Sequence, residues 1–158
     1  MKYITRGERG WDHRPYWRYL ENVKQFMPLN LFLFAYNQEH HDLTHPNSLH
    51  NAWLERWCVT EAPDGDPKKG RSLSVEVTLL GPKRDRRIHL AYQGVTSHTI
   101  QTPEQIAPAY SLDQAHGDLI VHETTIARDG IYLHEILFSS NAVFTVQFAG
   151  FEHRIERV

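Results

Sequence analysis

From Leu49 onward the chain reads as period-two segments joined by short turns, and this alternation limits the fold more than any other feature. In SLSVEVTLL, Val75, Val77 and Leu79 alternate with Glu76 and Thr78, so one face is apolar and the other polar. The turn GPKRDR, Gly81 to Arg86, leads into RIHLAYQGV, and TSHTIQ continues it past a bulge or kink expected at Gly94. DLIVHETTIA and IYLHEILFSS flank Asp129-Gly130, among the strongest short hairpin signals. AVFTVQFAG and FEHRIERV complete the series, and LHNAWLERWCVTE opens it. No helix-length stretch separates these segments, which argues against parallel βαβ units. The longest connection, Thr102 to Gly117, carries two prolines and has room for a single helical turn.

The N-terminal third has a different period. In RPYWRYLENVKQFMP, Trp17, Leu20, Val23, Phe26 and Met27 recur at three and four, which is one face of a helix. Pro15 suits the first turn, and Pro28 ends the segment. The run LNLFLFAY fits a buried strand or a short helix, and the reading favours helix. The expected fold is therefore α+β: N-terminal helical segments packed on a mostly antiparallel meander sheet of about seven or eight strands. One domain, 1–158, is expected, with a helical cap over 1–47 and antiparallel β structure over 48–158.

Composition narrows the function classes. A formal charge of −2, from 17 basic and 19 acidic residues, predicts neither a nucleic-acid binder nor a disordered tail. Cys58 is the only cysteine, so no intrachain disulfide forms, and its neighbours Trp57 and Val59 suggest a buried, inert thiol. The start lacks the apolar run of a signal peptide, and Leu29 to Tyr36 is too short to span a bilayer. A soluble, cytoplasmic protein is expected. The compositional oddity is histidine, with 11 residues.

Histidine meets glutamate at both ends of HETTIARDGIYLHE. With Asp129 and Gly130 as the loop, Arg128 faces Ile131. That register sets His122 diagonal to Glu135 on one face and Glu123 diagonal to His134 on the other. Each pair reads as an acid–base couple or as a cross-strand ion pair. The two histidines then point to opposite faces and cannot share a metal. A second cluster, EHHDLTHPNSLH, supplies His40, His41, His45 and His50 as candidate metal ligands beside Glu39 and Asp42. Its spacing does not match H-E-x-x-H, and Pro46 argues against a helix carrying His41 and His45. The alternative is a polar loop.

A third group suggests a surface. GPKRDRR, with Lys68, Lys69 and Arg71 from the neighbouring turn, makes a basic patch that includes Arg84, Arg86 and Arg87. Trp53, Glu55 and Trp57 share one face of a regular strand, as core or as partner anchors. No nucleophile elbow surrounds Ser139 and Ser140. P-loop, dinucleotide and EF-hand motifs are absent, and no cofactor is expected.

The order SLHNAWLE, LLGPKRDRRIHLAYQGV, GDLIVHE and HEILFSS resembles a group of small, mostly uncharacterised bacterial proteins with SLHDAWLE-, LLGPxxDR- and HEILFS-type segments. The resemblance covers about residues 48–158 and implies no established chemistry. Asn51 stands where that pattern has Asp, which puts any role of that carboxylate in doubt. A weaker similarity to immunity proteins of bacterial toxin systems implies binding without catalysis. The leading expectation is a non-enzymatic, immunity-like module that binds a protein partner through one face of its sheet, Trp53, Trp57, Arg84, Arg86 and Arg87 included. The alternatives are a metal-dependent or acid–base enzyme using the 39–50 loop or the hairpin, and a small-ligand binder with its cavity between cap and sheet.

Overall fold

The computed structural model describes residues 1–8, 10–63, 65, 70–101 and 116–158. Lys68, Lys69 and all of Thr102 to Gly117 except its last two residues lie outside them. Among the described residues the class is α+β, with two α-helices near the N-terminus and ten strands in three sheets. A short hairpin, β1 (Thr5–Gly7) and β2 (Gly10–Asp12), precedes α1 (Arg14–Val23) and α2 (Leu29–Tyr36). Strands β3 (Trp53–Pro63), β4 (Arg71–Leu80) and β5 (Arg86–Gln93) follow. Then come β6 (Ser97–Ile100), β7 (Leu119–Arg128), β8 (Ile131–Phe138), β9 (Val143–Phe148) and β10 (Gly150–Arg157).

The helical readings hold: Pro15 sits in the first turn of α1, and LNLFLFAY forms α2. The single-sheet expectation does not. The β region forms two four-stranded antiparallel sheets, ordered β10-β5-β4-β3 and β6-β9-β8-β7. The hairpin β1-β2 is a third sheet inside the segment expected as a helical cap, where three-residue strands leave too few positions for a period to show.

One bent ribbon joins the two large sheets. β5 pairs with β10 and β6 pairs with β9, so β5–β6 and β9–β10 run side by side through a corner. Gly94 makes the corner with φ of 58°, and a Cβ there would meet the Ala149 Cβ at 3.1 Å. A residue with a side chain would be both strained and crowded at that point. The inner faces of the two sheets meet across the core, with Tyr92 on Phe148 (5.0 Å) and Trp57 on Phe144 (5.2 Å).

Two β-bulges decide which side chains reach that core. In β3 the register shifts between Leu54 and Arg56, so Trp53 stands opposite Leu80 while Trp57 stands opposite Val77. Trp53 and Trp57 therefore lie on opposite faces, contrary to the period-two reading. Trp57 packs inward, whereas Trp53 is exposed under the Arg84 guanidinium, 4.2 Å from its ring. In β7 a second shift falls between Ile126 and Arg128. Arg128 does face Ile131, yet only Gly130 takes positive φ (68°), where a type I′ loop needs it at both central residues. The strand takes up Ala127 as an extra residue, and every pairing beyond it moves by one.

The free edge of β7 is closed by α1. The Tyr16 hydroxyl accepts from the Thr124 N–H (2.8 Å) and donates to the Thr124 carbonyl (3.1 Å). The Tyr19 hydroxyl accepts from the Ile126 N–H at 2.7 Å. Two side chains thus satisfy backbone groups that an open edge would offer to another chain. Further along the same strand, the Leu119 N–H donates to Ala52 and the Asn51 N–H donates to Leu119, so the SLHNAW segment docks here. Asn51 adopts φ of 64°, a region that Asn and Asp tolerate better than other side-chained residues. That backbone demand accounts for either residue at this position.

Candidate binding pocket between the helical cap and the sheet

The bulge at Ala127 rebuilds the hairpin chemistry. His122 stands opposite Ile136, and Thr124 stands opposite His134, so both histidines face the core together. Their rings are joined directly, His122 Nδ1 to His134 Nε2 at 3.1 Å. Glu123 and Glu135 stand opposite each other on the reverse face. Neither expected His–Glu pair forms, and the inference that the two histidines are segregated is overturned.

Glu123 has a structural partner set instead. Its carboxylate is buried and accepts from the backbone N–H groups of Lys2 (2.8 Å), Tyr3 (2.8 Å) and Ile4 (2.7 Å). These charge-assisted bonds tie the first residues to the back of the hairpin. The Met1 ammonium lies 3.5 Å from Glu135, which offsets the two carboxylates' repulsion.

On the core face the histidines continue into a chain. The Tyr92 hydroxyl lies 2.8 Å from His134 Nδ1. Tyr92 is fully buried and its hydroxyl has no other hydrogen-bond partner among the described residues, so satisfying its O–H requires that it donate to this ring nitrogen. Donation from Tyr92 leaves the proton of His134 on Nε2, which donates to His122 Nδ1. His122 then carries its own proton on Nε2. That atom is buried and has no hydrogen-bond partner among the described residues.

His122 borders a pocket of about 280 Å³ lined by Gly10, Trp11, His13, His40, His41, Leu43, His50 and the stretch Leu119 to His122. Five histidines from four separate segments line it. The His41 ring stacks on His122, with centroids 4.3 Å apart and planes within 10°. His13 and Trp17 close on His41 edge-to-face, both at 5.0 Å. Phe34 of α2 packs against His40, His122, His134 and His153, and so supplies the apolar wall behind the cluster.

These imidazoles are held neutral. Burial, reinforced by neighbouring imidazoles, lowers His41 to about 3 and His40 to about 4. Burial and then His40 lower His134 to about 3. His122 is pushed well below the usual histidine value by burial and by His41 and His134. His13, His50 and His153 are shifted down for the same first cause. No carboxylate lies in the lining to reverse the effect.

Of the proposed metal ligands, His40, His41 and His50 reach the pocket and His45 does not. His40 is already engaged, with Nδ1 bonded to the Phe34 carbonyl (3.0 Å) and Nε2 receiving the Asn37 amide (3.3 Å). His45 pairs with Glu39 at 3.5 Å and accepts from the Asn47 N–H. Near-parallel stacking keeps the in-plane lone pairs of His41 and His122 side by side, so they do not converge on one ion ~2.0–2.1 Å away. Among the described residues no three His, Cys, Asp or Glu side chains are placed to hold a metal ion.

The expected basic surface is mostly self-paired. Arg86 bonds to Asp85 and Asn47, and Arg87 bonds to Glu55 at 2.7 Å. Arg84 stays with Trp53. Cys58 is half-buried, against the expected buried thiol, because its side of β3 faces outward with Glu76. His13, Trp11 and Tyr92 were not anticipated as site residues, since no local spacing connects them to the other histidines. Among the described residues no helix is long and apolar enough to cross a membrane. Comparison with protein-family models, with curated proteins and with solved structures finds no match.

Proposed function

We propose that this chain binds a small molecule in the histidine-lined pocket between the helical cap and the sheet. One observation carries the reading: three residues lining the pocket, His41, His50 and His122, each hold a buried ring nitrogen (Nε2, Nδ1 and Nε2) with no hydrogen-bond partner among the described residues. Buried polar groups left unpaired cost free energy, and several of them on residues around one apolar pocket are a mark of a ligand site. The neutral state of the cluster and its aromatic walls favour an uncharged ligand. The test is a fragment screen on the full chain, read by thermal stabilisation and repeated on Leu43→Trp. Leu43 is exposed at the pocket rim, so the larger ring should block entry without touching the core. Fragments that stabilise the parent chain and not the variant support the reading. Equal stabilisation of both, or none of either, contradicts it.

A second reading, partner binding through the outer face of β3, is supported by Trp53. Its ring is exposed beneath Arg84, an aromatic–guanidinium pair of the kind that anchors interfaces. An immunity-like role belongs with this reading. A photo-crosslinker at Trp53 that captures one protein in source cells, while one at Thr60 does not, would support it.

A further inference from the structure

The seam between the helical cap and the sheets is built largely of imidazole. His13 meets His41 at 5.0 Å, His41 stacks on His122 at 4.3 Å, and His122 meets His134 at 5.2 Å. His40 meets His153 of β10 at 5.5 Å, and His50 lines the same pocket as His13, His40, His41 and His122. Phe34 of α2 touches rings on β7, β8 and β10. The cap, from α1 through the 3-10 turn Gln38–His41, therefore rests on histidines of three strands. The innermost rings have no place for another hydrogen. In Tyr92–His134–His122 each hydrogen between partners meets one lone pair. A proton added to His122 goes to Nδ1, where it faces the Nε2–H of His134 across 3.1 Å. Reversing the chain relieves that contact but turns a hydrogen of His134 toward Tyr92 and strands the buried Tyr92 O–H. A proton added to His134 strands the same O–H. Neither charged form keeps the chain satisfied while the cap covers it.

Carboxylates near the seam stand at its rim and are engaged elsewhere: Asp12 with Arg14, Glu39 with His45, Asp42 with Thr44 and Asp118 with the Trp53 indole. Glu123 and Glu135 are on the reverse face of the hairpin, and Glu152 and Arg154 flank His153 on the opposite face of β10. We infer that the seam is an acid-sensitive latch: below neutral pH, protonation of its histidines releases α1, α2 and the Gln38–His41 turn from β7, β8 and β10 while the two large sheets stay packed. Release gives the rings water. Burial lowers the proton affinity of all seven in the docked form, so the released form binds more protons and gains as pH falls. Sheet-to-sheet contacts that use no cap residue, Trp57 on Phe144 (5.2 Å) and Tyr92 on Phe148 (5.0 Å), remain in place. The latch needs no bound ligand.

The test is amide hydrogen exchange on the full chain, residue by residue, from pH 7.5 to 5 and corrected for the pH dependence of intrinsic exchange. The reporters are the amides of α1 and α2 and the N–H groups of Thr124 and Ile126, which bond to Tyr16 and Tyr19. They should lose protection at least about tenfold over the range, and at pH 5 stand at least about tenfold below the β4–β5 ladder. His41→Gln removes a titrating ring and should move the loss to lower pH. His89→Gln, beside Glu156 on the outer sheet face, should not. Should His41→Gln fail to fold at pH 7.5, His153→Gln at the exposed rim reads the same shift. Equal protection of cap and ladder at pH 5 would mean that acid unfolds the whole chain, and the latch would be wrong. Cap amides that keep their protection, or equal shifts from the seam and His89 variants, would also overturn it.

Discussion

Acid should dismantle this protein well before its carboxylates titrate. Four buried imidazoles carry the effect: His40 at about 4, His41 and His134 at about 3, and His122 well below the usual value. In the unfolded chain each returns to an ordinary value of 6.5. The unfolded state then binds more protons than the folded state at any pH between the two values, so stability falls as pH falls through that window. Half protonated in the unfolded chain at pH 6.5 and almost fully so at pH 5, each of His40, His41 and His134 costs roughly 1.5 kcal/mol over that step, about 5 kcal/mol for the three, and His122 adds to the loss in the same direction. That is comparable with the whole stability of a domain, roughly 5–15 kcal/mol. The depressed carboxylates Asp12, Asp42 and Asp85 start from 3.8, so they contribute nothing in this range. Charges facing the cluster are few: Asp118 acts on His50, Asp12 on His13, and Glu39 on His40. Urea denaturation followed by fluorescence of the four tryptophans, at pH 7.5, 6.5, 5.5 and 5, measures the slope. A midpoint that holds steady from pH 6.5 to 5 would refute the neutral buried cluster.

Other consequences are separable. Glu123→Gln replaces an acceptor-only carboxylate by a group whose amide clashes with N–H donors. It should cost about 2–4 kcal/mol in urea denaturation and expose residues 2–4 to hydrogen exchange, whereas Glu135→Gln should change little. Tyr16→Phe removes both bonds to Thr124 at the β7 edge and should cost about 1–3 kcal/mol, read in the same assay. The bulge in β3 predicts unequal tryptophans: Trp57→Ala should lose about 2–3 kcal/mol of packing and Trp53→Ala under ~1 kcal/mol. Equal losses would place both rings on one face.

Much of the fold was legible because it rests on local rules. The three-and-four spacing of α1, the alternation of β4 and β8, the turn at Asp129-Gly130 and the kink at Gly94 all match the structure. The bulges were not legible. A bulge adds one residue without changing residue types, and at Glu55 and Ala127 it reversed the faces of everything beyond it. The reversal separated Trp53 from Trp57 and brought His122 to His134. The assembly of His13, His41, His50 and His122 comes from four segments folded together, and no spacing along the chain encodes that distance. What the sequence did show was histidine in excess, and most of that excess gathers at one place.

The most direct test of the account is the protonation pattern of two imidazoles at pH 7, read from long-range ¹H–¹⁵N correlations. The account predicts that both rings, His41 and His122, are neutral and that the proton of His122 sits on Nε2. An imidazolium at either residue, or the reverse tautomer at His122, would contradict the Tyr92–His134–His122 chain and the pocket chemistry built on it.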